Sequence, residues 1–286
     1  TFFAVAMTGT IYLVATPIGN LDDLSPRAVT ILKQVDRIAC EDTRHSGKLL
    51  RHFKIDKPLL SYHEHNENKR AQDLTRMARR GEQIAVICDA GMPGISDPGY
   101  RVVRAAIDQG VPIIPIPGPT AVETALAASG LPTDRFRFEG FLPSKKSLRR
   151  KAIEILKYER STTIYYETPR RICDTLADIA ELLGARPVVV ARELTKLHEE
   201  FLRGTATSII SILEQRTVIK GEITLLIGGG KKTPPDSNDA TNRVATLLAS
   251  GVDRMDAIKQ VAREFGMSKS EMYRLVEESR SDASEA

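Results

Sequence analysis

Short apolar runs alternate with amphipathic helical segments along this 286-residue chain, and this alternation limits its fold more than any other feature. Runs rich in β-branched residues, such as residues 11–15 and 84–88, are separated by segments of helical periodicity. Because parallel strands are joined by helical crossovers, the pattern predicts α/β layers with mostly parallel sheets. Residues 84–88 are apolar throughout, which indicates a strand buried on both faces.

The same pattern gives the expected elements. The predicted strands cover residues 11–15, 37–40, 59–62, 84–88, 111–116, 136–141, 162–167, 188–193 and 223–227. The predicted helices cover residues 27–35, 44–53, 67–80, 101–109, 120–128, 147–158, 172–183, 208–214, 254–265 and 269–278. Pro115 and Pro117 place the fifth strand at a sheet edge, because proline cannot donate a hydrogen bond to a neighbouring strand.

The pattern restarts after residue 118 and predicts four segments. They are an N-terminal α/β domain (residues 10–118), a second α/β domain (119–229), a linker (230–241) and a small C-terminal helical module (242–286). The linker is rich in Gly, Pro and polar residues. Three short helical patterns follow the linker, with Gly251 and Gly266 as breaks. The last two resemble a helix-turn-helix, but their near-neutral charge is at least as typical of a packing module. Residues 1–6 precede Met7, which is the expected natural start.

Cysteine and histidine usage narrows the class of protein. Cys40, Cys88 and Cys173 form no CxxC pair, so neither a disulfide framework nor a zinc ribbon is indicated, and a reducing cytoplasm is expected. His63 and His65 would share one face of an extended strand, but a metal site needs a further ligand, and none is predicted. No run of about 18 apolar residues predicts a membrane span. The net charge of +4 is a mild basic excess, compatible with nucleic acid.

Rigid turns follow several predicted strands. The sequence has no GxxxxGK[ST] motif, and no GxGxxG follows the first strand, which disfavours a P-loop enzyme and an ordinary dinucleotide-binding fold. Instead, Pro17 lies in TPIGNL, residues 89–99 read DAGMPGISDPG, and residues 116–121 read IPGPTA. Glycine permits close backbone approach to a ligand, and proline lowers the ordering cost of binding. These turns predict a pocket at the strand ends between the two domains, although each is also compatible with a purely structural turn.

Glu41, Asp42 and Arg44 follow the second predicted strand. Either carboxylate is a candidate general base, and Arg44 suits a two-bonded grip on a phosphate. The structural alternative is that the two acidic residues only stabilise a helix N-terminus, where negative charge is favourable. If the second strand lies beside the first in a simple parallel order, these residues share a sheet edge with Pro17 and Asp89.

A basic helix is predicted within residues 144–160, which hold seven Lys or Arg against two Glu. We predict that Lys145, Lys146, Arg149 and Arg150 bind RNA phosphates, while a solvated helix face is the alternative. Residues 69–80 add five basic residues against one Asp. Two basic helices modestly favour the nucleic-acid interpretation.

Nine motifs in this order resemble those of the ribosomal RNA small subunit methyltransferase I family, a branch of the tetrapyrrole (corrin/porphyrin) methylases. They are TPIGNLDD (residues 16–23), EDTR (41–44), HEHNE (63–67), DAGMPGISDPG (89–99), PIPGPTA (115–121), FEGFLP (138–143), YYETPRR (165–171), ARELTK (191–196) and KGEITLLI (220–227). The resemblance runs from residue 10 to the C-terminus. One departure is Met92, where many members carry Thr.

The resemblance implies two α/β domains with S-adenosylmethionine in the cleft between them. It implies methylation of the ribose 2′-OH of a cytidine in the decoding region of 16S rRNA by a cytoplasmic homodimer, with no membrane partner. It carries donor contacts onto Pro17, Asp89, Ala90, Gly91, Met92, Ile95, Thr120, Ala121, Tyr166, Ala191, Ile223 and Thr224. The catalytic candidates are Glu41, Asp42 and Arg44, with Glu193 and Lys196 on the opposite domain. A tetrapyrrole methylase and a non-catalytic rRNA-binding assembly factor remain alternatives.

Overall fold

The computed structural model describes residues 8–230, 237–265 and 267–284. These residues divide into two compact units, with the division after Gly229. The first unit contains two five-stranded sheets, and the second contains three helices. The finer division of the first unit at residue 118 stays a prediction. Three sequence predictions fall on residues outside these ranges. They are the extension at residues 1–6, the part of the linker at residues 231–236 and the helix break at residue 266.

The first sheet is parallel throughout. Its strands are β1 (Ile11–Val14), β2 (Arg37–Cys40), β3 (Leu59–Ser61), β4 (Ile84–Val86) and β5 (Ile113–Ile116). Its helices are α1 (Pro26–Gln34), α2 (Thr43–His52), α3 (Glu67–Arg79) and α4 (Tyr100–Asp108). One apolar cluster packs α1 and α2 on one face of the sheet, and another packs α3 and α4 on the opposite face. The sheet is therefore buried on both sides, as its continuous apolar strands predict.

The strand order of this sheet is β3-β2-β4-β1-β5. The expected edge position of β5 is confirmed. The expectation that β2 lies beside β1 is wrong, because β4 lies between them. The fully buried β4 takes this central place, since the crossover through α3 returns the chain across the sheet. Sequence order alone does not specify such a return.

The second sheet is mixed. Its strands are β6 (Phe136–Phe141), β7 (Thr162–Glu167), β8 (Pro187–Arg192), β9 (Glu200–Thr205) and β10 (Ile223–Ile227), in the order β6-β7-β10-β8-β9. Only the β6–β7 pair is parallel, so the expectation of mostly parallel sheets holds for the first sheet alone. Helices α6 (Lys146–Ile155), α7 (Ile172–Leu183) and α8 (Ala206–Leu213) pack on one face. Helix α5 (Ala121–Ser129) packs on the other.

Strand β9 is missing from the sequence prediction. Its charged and glycine-containing sequence, EFLRGT, lacks the apolar alternation of a strand. The structure pairs it with β8, and Glu200 accepts hydrogen bonds from Arg192 Nε at 2.5 Å and Arg216 Nη2 at 2.8 Å. An edge strand therefore forms here with the support of cross-strand ion pairs.

Glu200→Gln is expected to lower the stability of the fold near neutral pH. Hydrogen bonds from Arg216 and Arg192 hold the pKa of Glu200 at about 2, although partial burial opposes them. A carboxyl group whose pKa is lowered by folding stabilises the protein at pH values above its pKa in the unfolded chain. This contribution is lost as the pH falls towards 2. At about 1.4 kcal/mol per pKa unit, the loss is at most about 3 kcal/mol. Urea unfolding at pH 7 and pH 3 measures it, with the exposed Glu214→Gln as control. An equal destabilisation at both pH values contradicts the prediction.

The second unit consists of α9 (Ser237–Ala249), α10 (Arg254–Glu264) and α11 (Lys269–Ser284). Its core includes Val244, Ile258, Val261 and Met272, all at most 1% exposed. Three helices form here, as the three helical patterns predict, but α9 begins at Ser237, inside the predicted linker. No helix within the described residues is long and apolar enough to cross a membrane.

Candidate active site

The parallel first sheet brings the carboxyl ends of its five strands to one edge. Connections from β2 and β4 leave towards opposite faces of the sheet, which opens a crevice between the ends of these two strands. The backbone N–H of Asp42, after β2, donates to Asp89 Oδ1, after β4, at 3.3 Å. The crevice therefore joins the EDTR and DAGMPG segments directly, although β2 is not beside β1.

The loop after β1 is tied to the loop after β4. Thr16 and Gly91 exchange two backbone hydrogen bonds, at 2.9 and 3.0 Å. The Thr16 hydroxyl also donates to the Cys88 carbonyl at 3.0 Å. Gly91 has a φ of +82°, a left-handed conformation that favours glycine. Pro17 follows this bridge and is buried, so two of the predicted donor-binding turns form one rigid unit.

The second sheet contributes a row of three predicted donor-binding residues. Its register places Thr224 of β10 between Tyr166 of β7 and Ala191 of β8. Tyr166 and Ala191 belong to the apolar cluster that contains Ala121 of α5 and Ile18 of the β1 loop. Residues paired directly across neighbouring strands point to the same face of a sheet, so Thr224 shares the face of Tyr166 and Ala191. The row therefore faces the same loops that the first sheet presents.

Tyr166 lies among aromatic rings at the end of this row. Its ring centroid is 4.8 Å from that of Phe138 and 5.6 Å from that of Phe141, both edge to face. Burial raises the pKa of Tyr166 to about 12, with a further contribution from Asp97. The phenol is therefore neutral at physiological pH and able to donate a hydrogen bond.

The loop of residues 89–99 reaches from the first sheet to the second. A Cβ built on Gly140 of β6 lies 3.7 Å from Ser96 Oγ, so the two segments are in contact. Glu67 holds the far end of the loop, because its Oε1 accepts from Gly99 N at 3.1 Å and from the Tyr62 hydroxyl at 3.0 Å. The HEHNE motif, which ends at Glu67, thus positions the loop. Ser96 has a φ of +61°, and such strain often marks functional segments.

Glu41 and Asp42 differ in their electrostatic state. Burial raises the pKa of Glu41, and the nearby carboxylates of Asp89 and Asp97 raise it further. Asp42 caps α2 by accepting from Arg44 N at 2.8 Å, and this hydrogen bond lowers its pKa. The capping alternative therefore describes Asp42, whereas Glu41 keeps the properties of a general base.

Arg44 lies in the first turn of α2 and is well exposed. Its Nη2 contacts Asp42 Oδ2 at 3.3 Å, while 89% of its side chain stays accessible. An exposed ion pair of this kind is weak, so the guanidinium can exchange partners. Arg44 thus remains suited to a phosphate contact.

The ARELTK segment lies opposite the β1 loop. The Asn20 N–H donates to Thr195 Oγ1 at 3.0 Å, and a Cβ on Gly19 would lie 2.5 Å from Lys196 Cγ. Lys196 Nζ donates to Glu193 Oε1 at 2.8 Å and to Glu222 Oε2 at 2.9 Å. The hydrogen bond from Lys196 lowers the pKa of Glu193. Glu193 is therefore a poorer base than Glu41.

Several other predicted residues take positions that limit their role. The side chain of Ile223 packs in the core on the far face of the second sheet, so only its backbone can face a ligand, whereas Met92 is half-buried against the first core. Thr120 caps α5 through Glu123 N at 3.3 Å. Ala90 and Ile95 are exposed on the loop surface. His63 and His65 are in edge-to-face contact, and no metal-binding group of three appears within the described part of the chain.

Arg149 cannot act as a surface phosphate contact, which corrects the sequence prediction. Its side chain is 5% exposed, and its Nε donates to Asp178 Oδ2 at 2.7 Å. Arg150 is bound to Asp178 and to Glu181. Lys145 and Lys146 remain exposed. The count of basic residues misleads here, because the acids that neutralise two of them lie about 30 positions away on α7.

A cavity of about 650 Å³ lies beside the crevice. Its lining residues come from segments beside the strands of both sheets and from one face of α2: Pro17, Ile18, Gly19, Leu21, His45, Lys48, Leu49, His52, Asp89, Ala90, Lys196 and Glu222. Sequence analysis missed the α2 group. The signal in the sequence is the spacing of positions 45, 48, 49 and 52. This i, i+3, i+4, i+7 spacing places them on one face of the helix that follows the EDTR motif.

Solved structures with the same arrangement share the fold of this chain. Cobalt precorrin-4 methyltransferase superposes with a TM-score of 0.55 at 18% identity, over 77% of this chain and 94% of the other. Diphthine synthase gives 0.57 at 10% identity, over 77% and 90%. Uroporphyrin-III C-methyltransferase from Thermus thermophilus, in complex with S-adenyl homocysteine, gives 0.52 at 18% identity, over 78% and 98%. These likenesses show the fold of this chain, two α/β sheets in the same arrangement.

Sequence comparisons specify the family. The model for tetrapyrrole (corrin/porphyrin) methylases matches residues 10–210. Relatives called ribosomal RNA small subunit methyltransferase I include those of Halalkalibacterium halodurans, 48% identical over 93% of this chain and 94% of the relative, and Synechocystis sp., 47% over 93% and 97%. That of Escherichia coli O157:H7 is 42% identical over 93% and 94%. The chain belongs to this ribosomal RNA small subunit methyltransferase I family and is an enzyme, a methyltransferase.

Proposed function

We propose that this enzyme transfers a methyl group from S-adenosylmethionine to the ribose 2′-OH of a cytidine in the decoding region of 16S rRNA. The row of Tyr166, Thr224 and Ala191 beside the crevice with Glu41 and Asp89 carries the proposal. The relatives are named for methylation of small-subunit ribosomal RNA, and they match nearly the full chain.

The residues of the site fit the proposed donor. Thr224 is 4% exposed as a residue, and its hydroxyl makes no hydrogen bond with any residue the structure describes, so it can bind a polar group of a ligand. Ala191 and Ile18 offer apolar surface beside it. Asp89, Asp97 and Glu41 give the crevice a negative potential, which favours a positively charged sulfonium.

Within the proposed mechanism, the protein chiefly positions groups and removes one proton. The bound donor supplies an electrophilic methyl group on a positively charged sulfur. Glu41 accepts the proton of the ribose hydroxyl, because its raised pKa makes it a stronger base than an ordinary carboxylate. Arg44 holds an adjacent phosphate, and Glu67 keeps the loop of residues 89–99 in place.

The remaining site assignments belong to the same proposal. Pro17, Asp89, Ala90, Gly91, Ile95, Thr120 and Ala121 contact the donor from the first sheet and α5, and Met92 and Ile223 do so through their backbones. Lys145 and Lys146 provide an outer RNA contact. The enzyme acts as a cytoplasmic homodimer in this proposal, and light scattering is expected to give about twice the chain mass of 31.6 kDa.

Thr224→Val is expected to weaken donor binding about 5- to 30-fold, which corresponds to ~1–2 kcal/mol for one buried hydrogen bond. The fold should be no less stable, because valine keeps the shape and removes an unpartnered hydroxyl. Calorimetry with S-adenosylmethionine measures the affinity. Thr163→Val is the matched control, since Thr163 is 1% exposed on the same sheet but faces the opposite core. Equal affinities for the two variants contradict the donor site.

A methyl-transfer assay on small-subunit particles and on naked 16S rRNA tests the whole proposal. Transfer to the ribose of one cytidine supports it, and the comparison of the two substrates identifies the acceptor. Donor binding with methylation of a tetrapyrrole and none of RNA overturns it. RNA binding without donor binding instead indicates an assembly factor.

A further inference from the structure

One face of α2 lines the 650 Å³ cavity with basic side chains. His45, Lys48 and His52 lie on this face, beside the buried Leu49. The helix begins after the cap at Asp42, and its rise of 1.5 Å per residue separates positions 45 and 52 by about 10 Å. The basic stripe therefore extends along the cavity instead of marking a single point.

The three side chains have no ionic partner within the described ranges. His45, Lys48 and His52 are all exposed, and none forms an ion pair with a residue that the structure describes. Two other basic side chains nearby do have ionic partners: Arg44 contacts Asp42, and Lys196 is held by Glu193 and Glu222. An unpaired lysine that faces a cavity is available to an anion from outside the protein.

The two ends of the cavity differ in charge. Asp89 lies at the crevice, where Glu41 and its neighbours make the potential negative, and Lys48 lies further along α2. A ribose hydroxyl needs a carboxylate, whereas the phosphates that flank it need cations. A nucleotide within a strand presents both groups at once, which matches this distribution.

We infer that the α2 face of His45, Lys48 and His52 binds the backbone phosphates next to the acceptor ribose. The inference deepens the proposed function and rests on it. It assigns the primary strand contact to α2 instead of α6. Helix α6 packs with Ile153 in the core on the far face of the second sheet, away from the row that contains Tyr166.

Lys48→Gln is expected to weaken binding of a single-stranded RNA that contains the acceptor cytidine. The slope of log K against log salt should become shallower by about 0.7, the value for one lost phosphate contact on a single strand. Affinity for S-adenosylmethionine should stay at the wild-type value. The variant should fold normally, because Lys48 is exposed.

Lys33→Gln is the matched control, since Lys33 is an exposed lysine in the last turn of α1 and does not line the cavity. It should keep the wild-type slope. A wild-type slope in Lys48→Gln overturns the inference, as does a parallel loss of donor affinity, which would make the cavity part of the donor site. A slope that changes only in a Lys145→Gln, Lys146→Gln double variant also overturns it in favour of α6.

Measurements on the wild-type enzyme distinguish a failure of this inference from a failure of the proposed function. If wild type methylates RNA and Lys48→Gln keeps the wild-type salt slope, the inference about α2 fails and the proposed function stands. If wild type binds no donor and methylates no RNA, the proposed function fails and the inference falls with it. Methylation by wild type with the expected Lys48→Gln slope supports both.

Discussion

Glu41→Gln is expected to slow single-turnover methyl transfer by about 10²–10⁴, the range for loss of a general base. Glutamine keeps the size of the side chain but cannot accept the proton of the ribose hydroxyl. Donor affinity should fall far less than the rate, because Asp89 and Asp97 keep the crevice negative and the row of Tyr166, Thr224 and Ala191 is unchanged. Rapid-quench measurement at saturating donor and RNA gives the rate.

The pH dependence of Glu41 gives a second measurement. Burial and the carboxylate of Asp89 raise its pKa, so the folded protein binds this proton more tightly than the unfolded chain. The ionised group therefore costs stability, and stability falls as pH rises from the ordinary value through the raised pKa. Glu41→Gln should then be at least as stable as wild type at pH 7. The wild-type rate should rise with pH through the same interval, and this rise should be absent in the variant.

Asp42→Asn is the informative comparison for this prediction. Asp42 caps α2 and has a lowered pKa, so its amide variant should keep the cap, lose a little stability with the negative charge at the helix N-terminus, and keep most of the single-turnover rate. Loss of turnover in Asp42→Asn with a normal rate in Glu41→Gln would show that the base is misassigned. Wild-type rates in Glu41→Gln, Asp42→Asn and Arg44→Ala would move the acceptor site towards Glu193 and Lys196.

The elements of this fold could be predicted because local patterns encode them. Helix α1 and the apolar β4 appear in the structure close to where the sequence places them, at residues 27–35 and 84–88. The position of β4 between β2 and β1 is a tertiary choice that depends on the crossover through α3. The antiparallel pairing of β10 in the second sheet is likewise invisible in its apolar sequence, ITLLI, which suits either direction.

Charge pairing is the part of the site that sequence could not give. The basic segment around Arg149 suggests an RNA surface, but Asp178 and Glu181 on α7 neutralise Arg149 and Arg150. Conversely, the spacing of His45, Lys48 and His52 indicates one helix face, but only the cavity shows that this face belongs to a site. Motif composition locates the crevice, and only the fold shows which charges remain available inside it.

Gly91→Val is expected to reduce donor affinity by about 100-fold or more, equivalent to ~2.7 kcal/mol. Gly91 has a φ of +82°, and its Cβ position points into the gap between Ile18 Cγ2 at 3.7 Å and the Pro119 carbonyl at 3.9 Å. A Cβ atom alone fits in this gap. The γ-methyl groups of valine would fill the space between the β1 loop and the turn before α5. In the proposed site, the donor needs that space.

The left-handed backbone adds strain, which a matched variant separates from the loss of space. Gly110→Val carries a similar penalty at a φ of +67°, of order ~1–2 kcal/mol, but no atom lies within 4 Å of its Cβ. Both variants should lose comparable stability in urea unfolding, and only Gly91→Val should lose S-adenosylmethionine binding in calorimetry. Wild-type donor affinity in Gly91→Val, at equal stability loss, would place the donor away from this turn. It would leave the Tyr166, Thr224 and Ala191 row without its opposite wall.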